Sequence, residues 1–124
     1  MAVLRLNKAG VPVVIVHPVP GIPFGSGSCA VFSIITGDCA GEISRSAVDA
    51  SLGSSIRVED AAIAKAPAAW ALSFENQICG KESCSTVRDG VVQYRDPHHL
   101  SIDGALLLTC SFYKVISARA VPRP

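Results

Sequence analysis

Residues 94–104 read Tyr94-Arg95-Asp96-Pro97-His98-His99-Leu100-Ser101-Ile102-Asp103-Gly104. In this segment an Asp and a His lie three residues apart, after an apolar run that favours a β-strand and before a run with helical spacing. A loop between two such elements can place an imidazole beside a nucleophile and a carboxylate behind the imidazole, which is the acid–base half of a hydrolase or acyl-transfer triad. Asp96 and His99 are therefore the candidate catalytic residues. The competing interpretation is a surface turn formed by the Asp and a His that caps the loop.

The composition bounds the class of protein. The chain has 124 residues, of which 49% are apolar, so the sequence predicts one domain with a sizeable core. The formal net charge is +1, and only 6% of the residues are aromatic. Neither a basic stripe nor a polybasic cluster is present, which argues against a nucleic-acid partner and against a membrane surface. The chain also shows no secretory signal and no apolar run long enough to span a bilayer.

The five cysteines are spaced as two close pairs and a single residue. Cys29 and Cys39 bracket a loop-like segment, Cys79 and Cys84 bracket four residues, and Cys110 lies alone in a helical pattern. This spacing predicts two small disulfide loops and a buried core thiol, which implies an oxidising compartment. That compartment conflicts with the missing signal, and a chain that is part of a longer exported protein would resolve the conflict.

A zinc site is the alternative for the second cysteine pair. Cys79 and Cys84, followed by His98 and His99, supply four possible ligands. Adjacent histidines point in different directions, however, and no second pair at structural-zinc spacing exists. The spacing therefore favours the disulfide.

Helical and strand-like segments alternate along the chain, which predicts an α/β fold. The predicted helices cover residues 2–9, closed by Gly10, residues 42–66, with Ser44 as N-cap and Gly53 as a possible dividing point, and residues 102–118, with Ser101 as N-cap. The predicted strands cover residues 11–16, buried on both faces, residues 68–74 and residues 90–94. Between and after them we expect a long loop over 21–41, a compact turn over 75–84 and a frayed tail over 119–124.

Other polar residues near the candidate pair have simpler interpretations. Ser101 follows His99 by only two residues, which is too close for it to act as the nucleophile that this base would deprotonate, and it is expected to be a helix cap alone. Tyr94 and Arg95 could line the mouth of a site, although a packing aromatic and a solvated charge are the more common outcome. His17, at the end of the first strand, could approach the same edge of the sheet or simply be a satisfied strand-end histidine. His98 is expected to face solvent or the adjacent loop.

The nucleophile is not evident. Gly37-Asp38-Cys39 imitates the G-D-S turn that carries a serine in some esterases, with sulfur in place of oxygen. Against a Cys39 nucleophile, Cys29 is a ready disulfide partner. The number of residues between Asp38 and Asp96 is also small for a three-layer hydrolase, which must bring both ends of this span to one site.

The segment over residues 94–101, followed by Gly104-Ala105, resembles the last conserved block of the SGNH domain fused to membrane acyltransferase-3 proteins. These are bacterial O-acyltransferases that modify cell-surface polysaccharides and peptidoglycan. The likeness extends to residues 10–20, the cysteine-bearing loop, the helix that begins near Ile43-Ser44-Arg45, and the cysteine pair at 79 and 84. It covers nearly the whole chain, although only the D-x-x-H-L-S block is specific by itself.

The resemblance implies a three-layer parallel sheet flanked by helices, with Asp96 and His99 as the Asp and His of a Ser-His-Asp triad. The family's serine lies in a G-D-S-type block near the start of the domain, and this sequence has no convincing counterpart. The chain is therefore expected to be a single partial SGNH domain over residues 1–124, poorly stable and inactive alone, from the extracytoplasmic side of a bacterial membrane. The implied partners are an acceptor glycan and an acyl group carried by a membrane acyltransferase domain, with no metal or organic cofactor.

A second hypothesis belongs to a different class. The chain could be a disulfide-stapled structural or binding module, in which an SGNH-like remnant acts only as a scaffold. An in-frame G-D-S block upstream of Met1 would favour the enzyme, and stop codons there would favour the remnant.

Overall fold

The structure is a computed structural model that describes residues 2–23 and 40–120, without the side chains of residues 119 and 120. Its elements, numbered in chain order over these residues, are α1 (Ala2–Lys8), β1 (Val13–Val16), β2 (Glu42–Ser44), α2 (Arg45–Ile63), β3 (Ala69–Leu72), α3 (Glu75–Ile78), β4 (Ser83–Ser85), β5 (Val87–Arg88), β6 (Val91–Val92), β7 (Tyr94–Asp96), β8 (His99–Leu100), α4 (Ile102–Leu106) and α5 (Thr109–Ala120).

Strands β1 and β3 form a parallel pair. Val13 lies opposite Ala69 and Val16 opposite Leu72, and the N–H of His17 donates to the Leu72 carbonyl at 2.9 Å. The β-branched run of β1 suits an extended backbone. Three of its residues are half-buried and Val16 is 40% exposed, so the expectation of a strand buried on both faces is wrong for the described part of the chain. The long helix α2 between these parallel strands provides the crossover that such pairing requires.

Helix α2 starts where its cap was predicted. The Ser44 hydroxyl accepts from the Ala47 N–H at 3.2 Å, and the helix runs for 19 residues without a break at Gly53. Residues 42–44, predicted as helix, instead form strand β2, because Ile43 pairs with Cys84 of β4. Helix α1 likewise ends near the predicted Gly10, whose φ of +74° suits a residue without a Cβ.

The predicted Cys79–Cys84 disulfide is present and buried. It closes the turn that follows α3, and two arginines hold the same turn. Arg88 Nη1 donates to the Cys79 carbonyl at 2.6 Å and to the Gln77 carbonyl at 2.9 Å. Arg45 Nη1 donates to the Gly80 carbonyl at 2.9 Å. The turn is therefore fixed by a covalent bond and by charge-assisted hydrogen bonds at its carbonyls.

Short antiparallel ribbons carry the chain from the disulfide to the candidate pair. Strand β2 pairs with β4, β5 with β6, and β7 with β8. Together with the β1–β3 pair, the described residues thus contain four two-stranded sheets and no wider one.

The buried residue Gln93 links several of these segments. Its side-chain amide donates to the carbonyls of Ile78 at 3.1 Å and Ser85 at 3.0 Å, and its backbone N–H donates to the Thr86 carbonyl at 2.7 Å. Its own carbonyl accepts from the Ser101 N–H at 2.8 Å.

The buried core lies between α2, β3, the disulfide turn and the start of the C-terminal helices. Its largest members are Ile22, Val48, Leu72, Phe74, Ile78, Tyr94 and Leu108. Two further hydrogen bonds join Gly41 to Thr86. The Thr86 hydroxyl accepts from the Gly41 N–H at 2.8 Å, and the Thr86 N–H donates to the Gly41 carbonyl at 2.9 Å.

The C-terminal region is two helices, not the single helix predicted over residues 102–118. Ser101 caps α4 as expected, since its hydroxyl accepts from the Gly104 N–H at 2.9 Å. The chain then tightens at Leu108, whose N–H donates to Ala105 three residues back, and this turn brings the Leu108 side chain into the core. Helix α5 leaves Cys110 exposed and unbonded, so the prediction of a buried core thiol is wrong.

Some predictions fall on residues that the structure does not describe. These are residues 24–39 of the predicted loop, with the Cys29–Cys39 pair and the Gly37-Asp38-Cys39 turn, and residues 121–124 of the predicted tail. Residues 119 and 120, also assigned to that tail, belong to α5.

Replacement of Gly104 is predicted to destabilise the chain. A Cβ at this position would lie 2.8 Å from the Cα of Gln93, and backbone atoms there cannot move aside. Gly104→Ala should therefore lower the free energy of unfolding by about 1–3 kcal/mol, measured by urea denaturation. Gly53→Ala is the matched control, because its Cβ would meet only the end of the Arg57 side chain. It should raise the free energy of unfolding by about 0.5–1 kcal/mol. Equal effects of the two substitutions would contradict the packing of Gly104 against Gln93.

Removal of the disulfide has a second predictable effect. The bond joins residues only five positions apart, and the chain-entropy model gives about 2 kcal/mol for so short a loop. The double variant Cys79→Ala with Cys84→Ala should lose at least that much of the free energy of unfolding in urea. Cys110→Ala, at an exposed free cysteine, should change it by less than about 0.5 kcal/mol. A double variant as stable as the Cys110 control would show that the bond is not structural.

Candidate active site

The β7–β8 hairpin positions the candidate pair. Asp96 is the last residue of β7 and lies opposite His99, the first residue of β8, with Pro97 and His98 at the turn. A register shift between Tyr94 and Asp96 lets the Asp side chain face back across the turn. The spacing of three residues in the sequence thus becomes a direct contact.

The Asp96 carboxylate holds the imidazole of His99. His99 Nδ1 lies 2.8 Å from Asp96 Oδ1 and 2.9 Å from Oδ2. The backbone N–H groups of His98 and His99 also donate to Oδ1, each at 2.9 Å. Because an ionised carboxylate only accepts, Nδ1 must carry a proton, and Nε2 of the neutral ring is left as the acceptor. A general base needs this tautomer.

The same contacts lower the pKa of Asp96 to about 2, from an ordinary value of 3.8. The largest cause of the lowered pKa is the hydrogen bond from the His98 N–H. Desolvation is the second largest cause and opposes it, and the ring and backbone N–H of His99 lower the pKa further. Arg95 adds a cation whose Nε is 3.4 Å from Oδ2. The carboxylate is therefore ionised over the whole physiological range, as it must be to stabilise an imidazolium.

The hairpin is anchored to the segment that follows β1. Tyr94 is fully buried, and its hydroxyl donates to the Pro20 carbonyl at 2.6 Å. Burial also raises the pKa of this phenol. The Ile22 N–H donates to the Pro97 carbonyl at 3.0 Å, within the turn itself. Tyr94 is thus a packing and anchoring residue, not a residue at the mouth of a site.

The neighbouring polar residues occupy separate places. The His98 ring is exposed beside Gly21, and the Ser101 hydroxyl is occupied at α4, where it also donates to the Val92 carbonyl. His17 is buried against α2, with Nε2 3.4 Å from Asp60 Oδ1 and 3.7 Å from Glu59 Oε2. These carboxylates, not the Asp96–His99 pair, are its neighbours. Its Nε2 makes no hydrogen bond, so His17 is not a fully satisfied histidine.

Among the described residues, the structure brings no nucleophile to the pair. Over residues 2–23 and 40–120, no hydroxyl or thiol makes a hydrogen bond to His99. Cys79 and Cys84 are joined to each other, so the zinc interpretation that used these thiolates is wrong. Within the same part of the chain no group of three or more His, Cys, Asp or Glu side chains could hold a metal ion.

Sequence reasoning missed the residues that fix the hairpin. Gln93 was counted only as part of a short strand, and its four hydrogen bonds to distant segments leave no local pattern. The signal available for Tyr94 was a tyrosine at the end of an apolar run, which favours burial of the ring but does not identify the partner of its hydroxyl.

The Asp96 carboxyl should titrate near pH 2, and this can be measured from its carboxyl ¹³C chemical shift. Since the folded pKa lies below the unfolded one, the stabilisation by this group is complete above about pH 4 and is lost as the pH falls towards 2. His99→Ala should raise the midpoint only in part, because the His98 N–H remains. A wild-type midpoint at the ordinary value of 3.8 would contradict the described hydrogen bonds.

Comparison with known proteins identifies the family. The model of the SGNH domain (fused to AT3 domains) matches residues 1–114, which is nearly the whole chain. Neither the curated proteins nor the solved structures contain a significant match. The matched region includes β1, α2, the disulfide turn and the Asp96–His99 hairpin. The chain therefore belongs to the SGNH domain family that is fused to AT3 domains, and its helices and small sheets agree with the α/β class of that family.

Proposed function

We propose that this chain contributes the Asp–His half of a Ser-His-Asp triad for acyl transfer to, or ester hydrolysis on, cell-surface glycans. The observation that carries the proposal is the contact of His99 Nδ1 with both oxygens of Asp96, at 2.8 and 2.9 Å. This contact leaves Nε2 as the acceptor on a side chain that is 65% exposed. An exposed, correctly protonated imidazole is available to a hydroxyl that arrives from elsewhere.

The chemistry proceeds in two steps. A serine hydroxyl from outside the described residues loses its proton to His99 Nε2 while its oxygen attacks the acyl carbonyl. The imidazolium, stabilised by Asp96, returns the proton to the leaving group, and an acyl-serine ester remains. In the second step, Nε2 takes a proton from a glycan hydroxyl or from water, and that oxygen attacks the ester. The proton then returns to the serine as the acylated glycan, or the free acid, departs.

The partners follow from the family. AT3 domains are fused to SGNH domains of this kind, so a membrane acyltransferase domain is the proposed carrier of the acyl group. The acceptor is a glycan hydroxyl, and the reaction requires no metal or organic cofactor. The buried disulfide supports an oxidising, extracytoplasmic location in the full-length protein.

The proposed complete domain is a three-layer parallel sheet flanked by helices, of which residues 1–124 are a single partial domain. The β1–β3 pair is the part of this sheet that supports the proposal, because its strands are parallel and joined through α2. A site at the carboxyl end of β1 would follow the general rule for open α/β sheets. The segment after β1 is indeed the one that contacts the Asp–His hairpin.

Complementation tests the proposal. The chain is to be joined behind the serine-bearing N-terminal segment of another SGNH family member, and turnover of p-nitrophenyl acetate is measured. The joined protein should turn over the ester, and Asp96→Asn should lower kcat on the order of 10⁴-fold. His99→Ala should lower kcat to a similar extent. His98→Ala is the matched control, because the hydrogen bond from His98 to Asp96 comes from its backbone N–H, which the substitution keeps. Its activity should stay within a few-fold of the parent.

Two results would contradict the proposal. Turnover by the joined protein that survives His99→Ala would remove His99 from the reaction. Turnover by the 124-residue chain alone that disappears in His99→Ala would show that the nucleophile lies within this chain.

A non-catalytic scaffold is the second candidate function. It is favoured by the absence of a hydroxyl or thiol against His99 in the part of the chain that the structure describes. In this case a joined protein that folds, and that positions its serine near His99, would remain inactive.

A further inference from the structure

The proposed reaction makes two separate demands on the β7–β8 hairpin. His99 must carry its proton on Nδ1, and its Nε2 must lie within hydrogen-bond reach of a hydroxyl that comes from outside the described residues. The hairpin meets the first demand by itself, because every hydrogen bond that the described residues make to the Asp96 carboxylate comes from His98 or His99. The second demand depends on where the whole hairpin lies, which bonds inside the hairpin cannot set.

Two hydrogen bonds join the hairpin to residues 20–22, the segment that follows β1. The Tyr94 hydroxyl donates to the Pro20 carbonyl at 2.6 Å, and the Ile22 N–H donates to the Pro97 carbonyl at 3.0 Å. The first bond lies at the start of β7 and the second at the turn, so the hairpin is held at two points. The side chains of Tyr94, Pro20 and Ile22 are all fully buried, which keeps water from replacing the bond of the hydroxyl.

Residues 20–22 are in turn tied to the end of the parallel strand pair. His17, directly after β1, donates its N–H to the Leu72 carbonyl of β3 at 2.9 Å. Only two residues separate His17 from Pro20, and the rings of Pro18 and Pro20 restrict the backbone there. The hairpin is therefore placed relative to the carboxyl ends of β1 and β3, the edge at which open α/β sheets bind their ligands.

We propose, as an extension that rests on the proposed function, that Tyr94 is a positioning residue of the reaction. Its hydroxyl acts with the Ile22 N–H to hold His99 Nε2 at the place where the incoming serine needs it. The hydroxyl is buried on the Pro20 carbonyl and touches no reacting atom, so Tyr94 is not a catalytic residue. Protonation of the imidazole and its placement are thus controlled by different bonds, and a substitution can remove one without the other.

The test uses the joined protein, in which the serine-bearing segment of another family member precedes this chain, with p-nitrophenyl acetate as substrate. Tyr94→Phe keeps the buried ring and removes only the hydroxyl. Because a misplacement of about 1 Å can cost about 100-fold in rate, kcat should fall roughly 10- to 100-fold while KM stays within about twofold. Tyr113→Phe is the matched control, since this second tyrosine of the chain is 71% exposed on α5, and it should keep the parent kcat.

A second measurement on the same variant separates positioning from damage to the Asp–His pair. In folded Tyr94→Phe, the ¹⁵N chemical shifts of the His99 ring should still show the proton on Nδ1. The pKa of Asp96 should also stay at about 2, because the tyrosine hydroxyl is not among the groups that lower it. A fall in kcat with an unchanged pair is the result that a positioning role predicts and that general loss of structure does not.

A second variant removes the other bond and leaves Tyr94 in place. An ester in place of the peptide bond between Gly21 and Ile22 deletes the N–H that donates to the Pro97 carbonyl and keeps every side chain. This change should lower kcat roughly tenfold, again with KM within about twofold. It tests the placement of the hairpin even where loss of the tyrosine hydroxyl prevents folding.

The results that overturn this proposal differ from those that overturn the proposed function. Activity that His99→Ala removes, but that neither Tyr94→Phe nor the ester lowers, leaves the triad in place and ends the positioning role. A changed His99 tautomer in Tyr94→Phe, or an equal loss of kcat in Tyr113→Phe, ends it as well. A joined protein that is inactive, or whose activity survives His99→Ala, removes the proposed function and the positioning role together.

Discussion

The buried amide of Gln93 holds together the segments on which the candidate site depends. Its side chain donates to the carbonyls of Ile78 and Ser85, and its backbone bonds to Thr86 and Ser101. One residue thus joins the disulfide turn, the antiparallel ribbons and the start of α4, and it precedes the hairpin by only one position. Buried polar groups of this kind are costly unless every partner is in place, so the network admits few alternative arrangements. These hydrogen bonds hold the segments next to Asp96 and His99 in place without the help of a bound substrate.

The sequence predicted the local elements well where the signal itself was local. Ser44 and Ser101 cap the helices that they were expected to cap, and Cys79 and Cys84 form the expected disulfide. Each of these depends on residues within a few positions of one another. The contact between Asp96 and His99 was predicted for the same reason, because a D-x-x-H turn can close on itself.

The sequence failed where long-range packing decides the outcome. Residues 42–44 have helical spacing but form a strand, because Ile43 meets Cys84 on the far side of the disulfide turn. Residues 102–118 have helical spacing throughout, yet the burial of Leu108 breaks the run into α4 and α5 and turns Cys110 outward. Neither Leu108 nor Cys110 carries a local signal for this, since both are apolar residues in a periodic pattern. The partner of the Tyr94 hydroxyl, Pro20, lies 74 positions away and was equally inaccessible.

The backbone hydrogen bonds of Ile22 and Gly41 have a consequence for how such domains diverge. The Ile22 N–H is bonded to Pro97, and Gly41 is bonded through its N–H and its carbonyl to Thr86. The chain that connects these two points therefore enters and leaves at fixed positions, whatever lies between them. Since each doubling of a loop costs only about 0.6 kcal/mol in closure entropy, insertions and deletions there need not disturb the hairpin. The length of this connection could therefore change between members of the family while the contact between Asp96 and His99 stays the same.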